Sequence, residues 1–141
     1  IIAVTSSTQP LFALGQCKPG AIICDAGYPK NVVEAAHQDR FLFYGGLGKV
    51  SAGLGYEPPE MAGMYGYPQR EIVHGCLLES VLLAFEKLNQ SYSSGRGQIQ
   101  PHHLADLWTK AQKHGIVPAP FYNNLGSCAT QVPDNYWQAT R

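Results

Sequence analysis

Gly20-Ala21-Ile22-Ile23-Cys24-Asp25-Ala26-Gly27-Tyr28-Pro29 runs from apolar residues into one acid and then into a turn. A continuous apolar run of this kind suits a strand buried on both faces of a parallel sheet, and the Gly-Tyr-Pro that follows suits a change of chain direction. The same design recurs on either side. Ile1-Ile2-Ala3-Val4 stops at Thr5-Ser6-Ser7-Thr8, and Phe41-Leu42-Phe43-Tyr44 stops at Gly45-Gly46. Three such runs, separated by roughly 15–20 residues, predict an α/β fold on about three parallel strands with short crossovers. Residues 10–19 and 31–39 would supply the crossovers, the second as a short helix capped by Asn31.

Past the third run the pattern changes. Residues 49–67 are rich in Gly, Pro, Tyr and Met, which predicts a long loop whose aromatic and Met side chains either line a pocket or pack down on the surface. Ile72, Val73, Cys76, Leu77, Ser80, Val81, Ala84, Phe85 and Leu88 then recur with helical spacing, so a long helix is expected over 68–89, with Pro68 in its first turn and Cys76 on its apolar stripe. Ser91-Tyr92-Ser93-Ser94-Gly95-Arg96-Gly97 closes it with turn chemistry. A second helix is expected over 101–113, stopped by Gly115. Residues 119–141 read as an irregular tail, leaving 1–118 as the organised domain.

The 141 residues suffice for one domain with a real core. Ten acidic and ten basic side chains cancel. The neutral balance and the lack of a Lys/Arg cluster argue against a nucleic-acid or acidic-membrane partner. No apolar run approaches the ~20 residues of a membrane-spanning helix. Cys17, Cys24, Cys76 and Cys128 form no C-x-x-C pair and follow no secretory leader, so reduced thiols in a cytoplasmic protein are expected. His102 and His103 are adjacent, the other histidines are scattered, and no H-E-x-x-H occurs, so no metal site is expected.

Polar and glycine residues at the carboxyl ends of parallel strands line the ligand crevice of doubly wound sheets. Ser6, Asp25, Gly27, Tyr28, Gly45 and Gly46 hold such positions and are the candidates for contact with a cofactor. Their alternative is ordinary turn chemistry. Cys76 is either core packing, as free cysteine often is, or a nucleophile. Glu79, one turn further on, is either an acid or base beside that thiol or a carboxylate paired at the edge of the stripe.

Ala21-Ile22-Ile23-Cys24-Asp25-Ala26-Gly27-Tyr28-Pro29-Lys30-Asn31 resembles the DGGYPKN strand and turn of the long-chain acyl-ACP reductases and the predicted amino-acid dehydrogenases related to them. Phe43-Tyr44-Gly45-Gly46, Pro68-Gln69-Arg70, Cys76-Leu77-Leu78-Glu79, Tyr92-Ser93-Ser94-Gly95-Arg96-Gly97-Gln98-Ile99 and Lys113-His114-Gly115-Ile116 are similar to later landmarks of that family, in the same order. The resemblance covers about Ile1 to Pro118. It implies the second half of a Rossmann-like, shikimate-dehydrogenase-like sheet that binds NADP or NAD. It also implies reduction of a small-molecule or carrier-bound acyl thioester, or of a semialdehyde, through an acyl group held on Cys76. Ser6, Asp25, Gly27, Gly45 and Gly46 match the family residue for residue.

No G-x-G-x-x-G is present, so the resemblance implies a phosphate-binding turn in an N-terminal half outside this chain, and a chain that is inactive alone. Two other readings stand beside this one. One is an amino-acid or shikimate-like dehydrogenase without a covalent intermediate. The other is a non-catalytic half-domain whose first strand, an open edge, pairs with a partner such as a second copy of the chain.

Overall fold

The computed structural model describes residues 1–33, 39–51, 71–93 and 99–128. They divide into two units, 1–46 with 120–141 and 47–119. The first is α/β in character. Strand β1 (Ile2–Ala3) is followed by β2 (Phe12–Ala13), a short 3-10 turn at Leu14–Gln16, β3 (Ile22–Asp25), β4 (Val32–Val33) and β5 (Phe41–Tyr44). The strands β1, β3 and β5 form one parallel sheet in that order, with Ala3 opposite Asp25 and Asp25 opposite Tyr44. Each apolar run of the sequence is therefore a strand of this sheet.

One face of the sheet carries Ala3, Ile23 and Leu42, which pack with Leu14, Cys17 and Val32 into a core. The alternation of side chains along a strand places Ile2, Ile22, Cys24, Phe41 and Phe43 on the other face. There Phe121 covers Phe43, with ring centroids 4.4 Å apart. Ile2 and Ile22 remain exposed.

The expected crossovers differ in detail. Val32 and Val33 do not start a helix capped by Asn31. They pair in parallel with Phe12 and Ala13, as β-branched residues favour, and the rest of the predicted helix, 34–38, lies outside the described residues.

The second unit holds a sheet that the sequence did not announce. Strand β6 (Leu47–Val50) pairs antiparallel with β7 (Ile72–His74) on one side and with β8 (Ile116–Pro118) on the other. The predicted loop of 49–67 thus loses Lys49 and Val50 to a strand, and its remainder, with Pro68 to Arg70, lies largely outside the described residues. Ile72 and Val73 are strand residues too. The long helix starts only at Gly75, as α1 (Gly75–Phe85).

Its buried side is accordingly not the predicted stripe. Leu78, Leu82 and Leu83 are buried, whereas Cys76, Ser80, Ala84 and Phe85 are exposed. Leu78 and Leu82 pack on Val73 and Ile116, with Leu107 and Ala111 of the next helix against them. Each such buried Leu stabilises the fold by about 1.5–3 kcal/mol. Gly48 makes the approach possible, because a Cβ there would collide with Leu78 Cδ1.

The second helix, α2 (Pro101–Lys113), has the predicted bounds. Pro101 opens it, Lys110 and Lys113 sit in its last turn, and Gly115 ends it at φ +67°. Within the stretch read as an irregular tail, β9 (Tyr122–Asn123) and β10 (Gly126–Ser127) form a hairpin of the first unit. It closes the outer edge of β5: Asn123 Nδ2 donates to the Leu42 carbonyl at 3.1 Å, and the Cys128 thiol reaches the same oxygen at 3.6 Å. No helix among the described residues is long and apolar enough to cross a membrane.

Candidate functional site

The candidate residues fall into two groups, one in each unit. In the first unit the parallel register carries Thr5 and Ser6, Asp25 to Gly27, and Gly45 and Gly46 to the same, carboxyl, end of the sheet. Asp25 is fully buried. Its Oδ1 accepts the Gly27 backbone N–H at 2.9 Å, and its Oδ2 accepts the N–H groups of Asn31 and Val32 at 2.7 and 2.9 Å. The carboxylate proposed by sequence for a cofactor is thus spent on tying the turn that follows β3. Asn31, also fully buried, extends the tie to the neighbouring strand end by accepting the Thr5 N–H on Oδ1 at 3.0 Å.

The glycines are required by this closeness. A Cβ on Gly27 would lie 2.5 Å from Asn31 Oδ1, and one on Gly45 would lie 2.6 Å from Cys24 Sγ. Gly46 takes φ +71°, a conformation that glycine adopts without cost. Tyr28 and Ser6 are exposed beside this turn system.

Lys30 belongs to the segment that carries the family resemblance, Ala21 to Asn31. Its Nζ stands 4.3 Å over the centre of the Tyr44 ring and 3.4 Å from the Asp25 carbonyl oxygen. Burial pushes its pKa below the usual lysine value, against the opposing pull of Asp25 and Cys24. The neighbouring Cys24 thiol is pushed up by burial and by the Asp25 charge. A Lys five residues after an acid at a strand end was the available signal.

In the second unit Cys76 occupies the first turn of α1 and is exposed, so the packing account of this thiol is overturned. The cause is the late start of the helix, which turns Leu78 and Leu82 to the core in place of Cys76. The first turn is the positive end of the helix dipole, where negative charge is favoured. Cys76 borders an open groove of about 610 Å³ that Glu79, Ser80, Leu83, Ser91 and Ser93 also line.

Glu79 is the latch of that groove. Its Oε2 accepts the Ser93 hydroxyl at 2.6 Å and its Oε1 accepts the Tyr92 N–H at 3.3 Å. Of the two sequence readings of Glu79, the geometry is that of the paired carboxylate. Tyr92 is held from the other side by its hydroxyl, which donates to Asp106 Oδ2 at 2.7 Å. The 92–93 turn is therefore fixed to both helices.

A second cavity, of about 740 Å³, lies in the first unit among Ile1, Leu11, Phe12, Cys17 and Ala21. It opens at the amino ends of β1 and β3, the opposite end from that where parallel sheets present ligands. Among the described residues no three His, Cys, Asp or Glu side chains converge as metal ligands.

No family model matches the chain. Over 102 residues it is 26% identical to the long-chain acyl-[acyl-carrier-protein] reductase of Synechococcus elongatus. The match takes in 72% of this chain and 29% of that reductase, so the chain spans under a third of the length of the curated relative it matches. The similarity is distant, and it agrees with the resemblance carried by the strand-end and Cys76 segments.

Proposed function

We propose that the chain is part of an NAD(P)H-dependent oxidoreductase that reduces an acyl thioester or an aldehyde-type substrate, with Cys76 as the acyl acceptor. The observation that carries the reading is the exposure of Cys76 in the first turn of α1, on a groove whose far wall is pinned by Glu79. Distant similarity to an acyl-carrier-protein reductase supports it. The Cys76 Sγ attacks the thioester carbonyl, its sulfur–carbon bond forms as the carrier sulfur leaves, and the proton lost by Cys76 ends on the departing thiol. Glu79 serves this step as a positioning residue, since both its oxygens are engaged by the 92–93 turn.

The first unit would form the second half of a Rossmann-like sheet. Its strand-end glycines leave the backbone bare, as a flat ring lying close to it requires, and Ser6, Gly27, Gly45 and Gly46 would hold the nicotinamide end of the cofactor. A bound dihydronicotinamide would supply the hydride. The bare face that carries Ile2 and Ile22 supports an N-terminal half-fold as partner, because parallel sheets are ordinarily covered on both faces.

Incubating the chain with a long-chain acyl thioester of coenzyme A or of acyl carrier protein, followed by peptide mass spectrometry, tests the reading without cofactor. The acyl mass should map to Cys76 and vanish in Cys76→Ala. Acylation that persists in Cys76→Ala, or none on the native chain, would sink the acyl-cysteine step. The result would then favour a dehydrogenase that moves hydride without a covalent intermediate.

A further inference from the structure

Lys30 lies at the carboxyl end of the parallel sheet with no carboxylate in direct contact among the described residues. Its one hydrogen bond among the described residues is to a neutral acceptor, the Asp25 carbonyl at 3.4 Å. The Asp25 carboxylate, five residues before it, gives both oxygens to the N–H groups of Gly27, Asn31 and Val32. No ion pair of Lys30 with a carboxylate occurs among the described residues. The ammonium is also half-buried, lying on the face of Tyr44 at 4.3 Å.

Such an arrangement is costly for a cation. A partly desolvated ammonium is ordinarily paired with an anion or released to water by its flexible stem, whereas this one is held in. The stem is anchored at both ends, by the turn that Asp25 ties and by the Tyr44 ring, so little freedom remains to be lost when a ligand arrives. An ammonium carries three N–H donors. The Asp25 carbonyl takes one, and the ring face covers one side of the group. The remaining donor capacity has no partner among the described residues, at a sheet end where Ser6 is exposed and Gly46 has no side chain.

We propose that Lys30 is an anion-binding residue, which takes an anionic oxygen of a ligand, from a phosphate or a carboxylate, at the carboxyl end of the β1-β3-β5 sheet. The ligand supplies the direct anionic contact that Lys30 does not make among the described residues. The lowered lysine pKa agrees with this, since burial disfavours the charged form and the charges of Asp25 and Cys24 only oppose it. The proposal does not depend on acyl chemistry at Cys76, and its test uses neither acyl substrate nor nicotinamide cofactor, so either proposal can fail alone.

The chain labelled with 13C at the lysine Cε is titrated with inorganic phosphate, with acetate, and with potassium chloride at matched ionic strength, and the six lysine signals are followed by NMR. The Lys30 signal, identified by its loss in Lys30→Gln, should shift saturably with phosphate or acetate and only weakly and linearly with chloride. Phosphate alone acting would name a phosphate ligand, and acetate acting as well would admit a carboxylate. Lys30→Arg, which keeps the charge, should retain saturable binding, read from the backbone amides around Gly27 and Gly45. Lys30→Gln should weaken it about tenfold or more, as loss of one charge-assisted hydrogen bond implies. If Lys30→Gln does not fold, Lys30→Arg serves for the assignment. The proposal is overturned if the Lys30 signal moves no more in phosphate and acetate than those of Lys18 and Lys87, or moves equally in chloride.

Discussion

Asp25 Oδ2 accepts the backbone N–H of Asn31 at 2.7 Å, and Asn31 in turn accepts the Thr5 N–H on its side-chain oxygen. Two buried polar side chains thus join the ends of β1 and β3 to the turn between β3 and β4. Asp25→Ala leaves three N–H groups without their acceptor, and Asp25→Asn sets an amide in place of a carboxylate oxygen against donors. Either substitution should destabilise the chain by about 2–4 kcal/mol, read from the urea midpoint at unchanged slope. A loss under about 0.5 kcal/mol would show that water replaces the carboxylate.

Gly45 and Cys24 compete for one space. Gly45→Ala places a methyl 2.6 Å from Cys24 Sγ and 3.0 Å from the Ala26 Cβ, and should cost about 1–3 kcal/mol as overpacking. Cys24→Ala removes the sulfur, so the double variant should recover part of that loss. A coupling of at least about 1 kcal/mol in the double-mutant cycle is expected, and strict additivity would contradict the contact.

Thiol reactivity should follow burial. Cys76 is exposed, Cys24 is half-buried and its pKa is raised, and Cys17 and Cys128 are buried. Brief treatment with iodoacetamide at neutral pH should label Cys76 first and Cys24 more slowly, leaving Cys17 and Cys128 protected until denaturant is added. Labelling of Cys128 before Cys76 in tryptic peptides would be incompatible with this fold.

Glu86 bonds to two side chains, to Lys113 Nζ at 2.8 Å and to His114 Nε2 at 2.6 Å, and these bonds hold its pKa below the usual carboxylate value. A carboxylate depressed in the folded state adds stability above its unfolded pKa, about 4.3, and loses it as pH falls through the lower folded value. Acid titration of native chain and Glu86→Gln should therefore show two curves that differ at neutral pH, approach each other as pH falls below the unfolded value and converge below the lowered folded one. Parallel curves throughout would remove the linkage between α1 and the end of α2.

The strands of the parallel sheet were legible because an uninterrupted apolar run needs little context: Ile22, Ile23 and their counterparts at Ile2 and Phe41 to Phe43 admit few other uses. The second helix was legible from Pro101 and Gly115, whose backbone restrictions act locally. Ile72 and Val73 misled because strand and helix both accept two adjacent β-branched apolar residues, and the deciding factor, pairing with Leu47 to Lys49, is distant in sequence. The displaced helix start then moved Cys76 from the core to the surface. Asp25 was recognised as a strand-end acid, but its spending on three N–H groups depends on a turn that only the folded chain displays. Lys30 carried no periodic signal at all.

The hairpin of Tyr122–Asn123 and Gly126–Ser127 gives the parallel sheet a direction of growth. With the Leu42 carbonyl claimed by Asn123 and Cys128, the β5 side is terminated by side chains where a further strand would need main-chain acceptors, a form of protection against edge pairing. Ile2 and Ala3 pair only with β3 among the described strands, so the edge that these strands leave for a further strand lies beside them. Among the described strands, growth of this sheet is thereby one-sided, and a peptide added to it has the β1 edge on which to register.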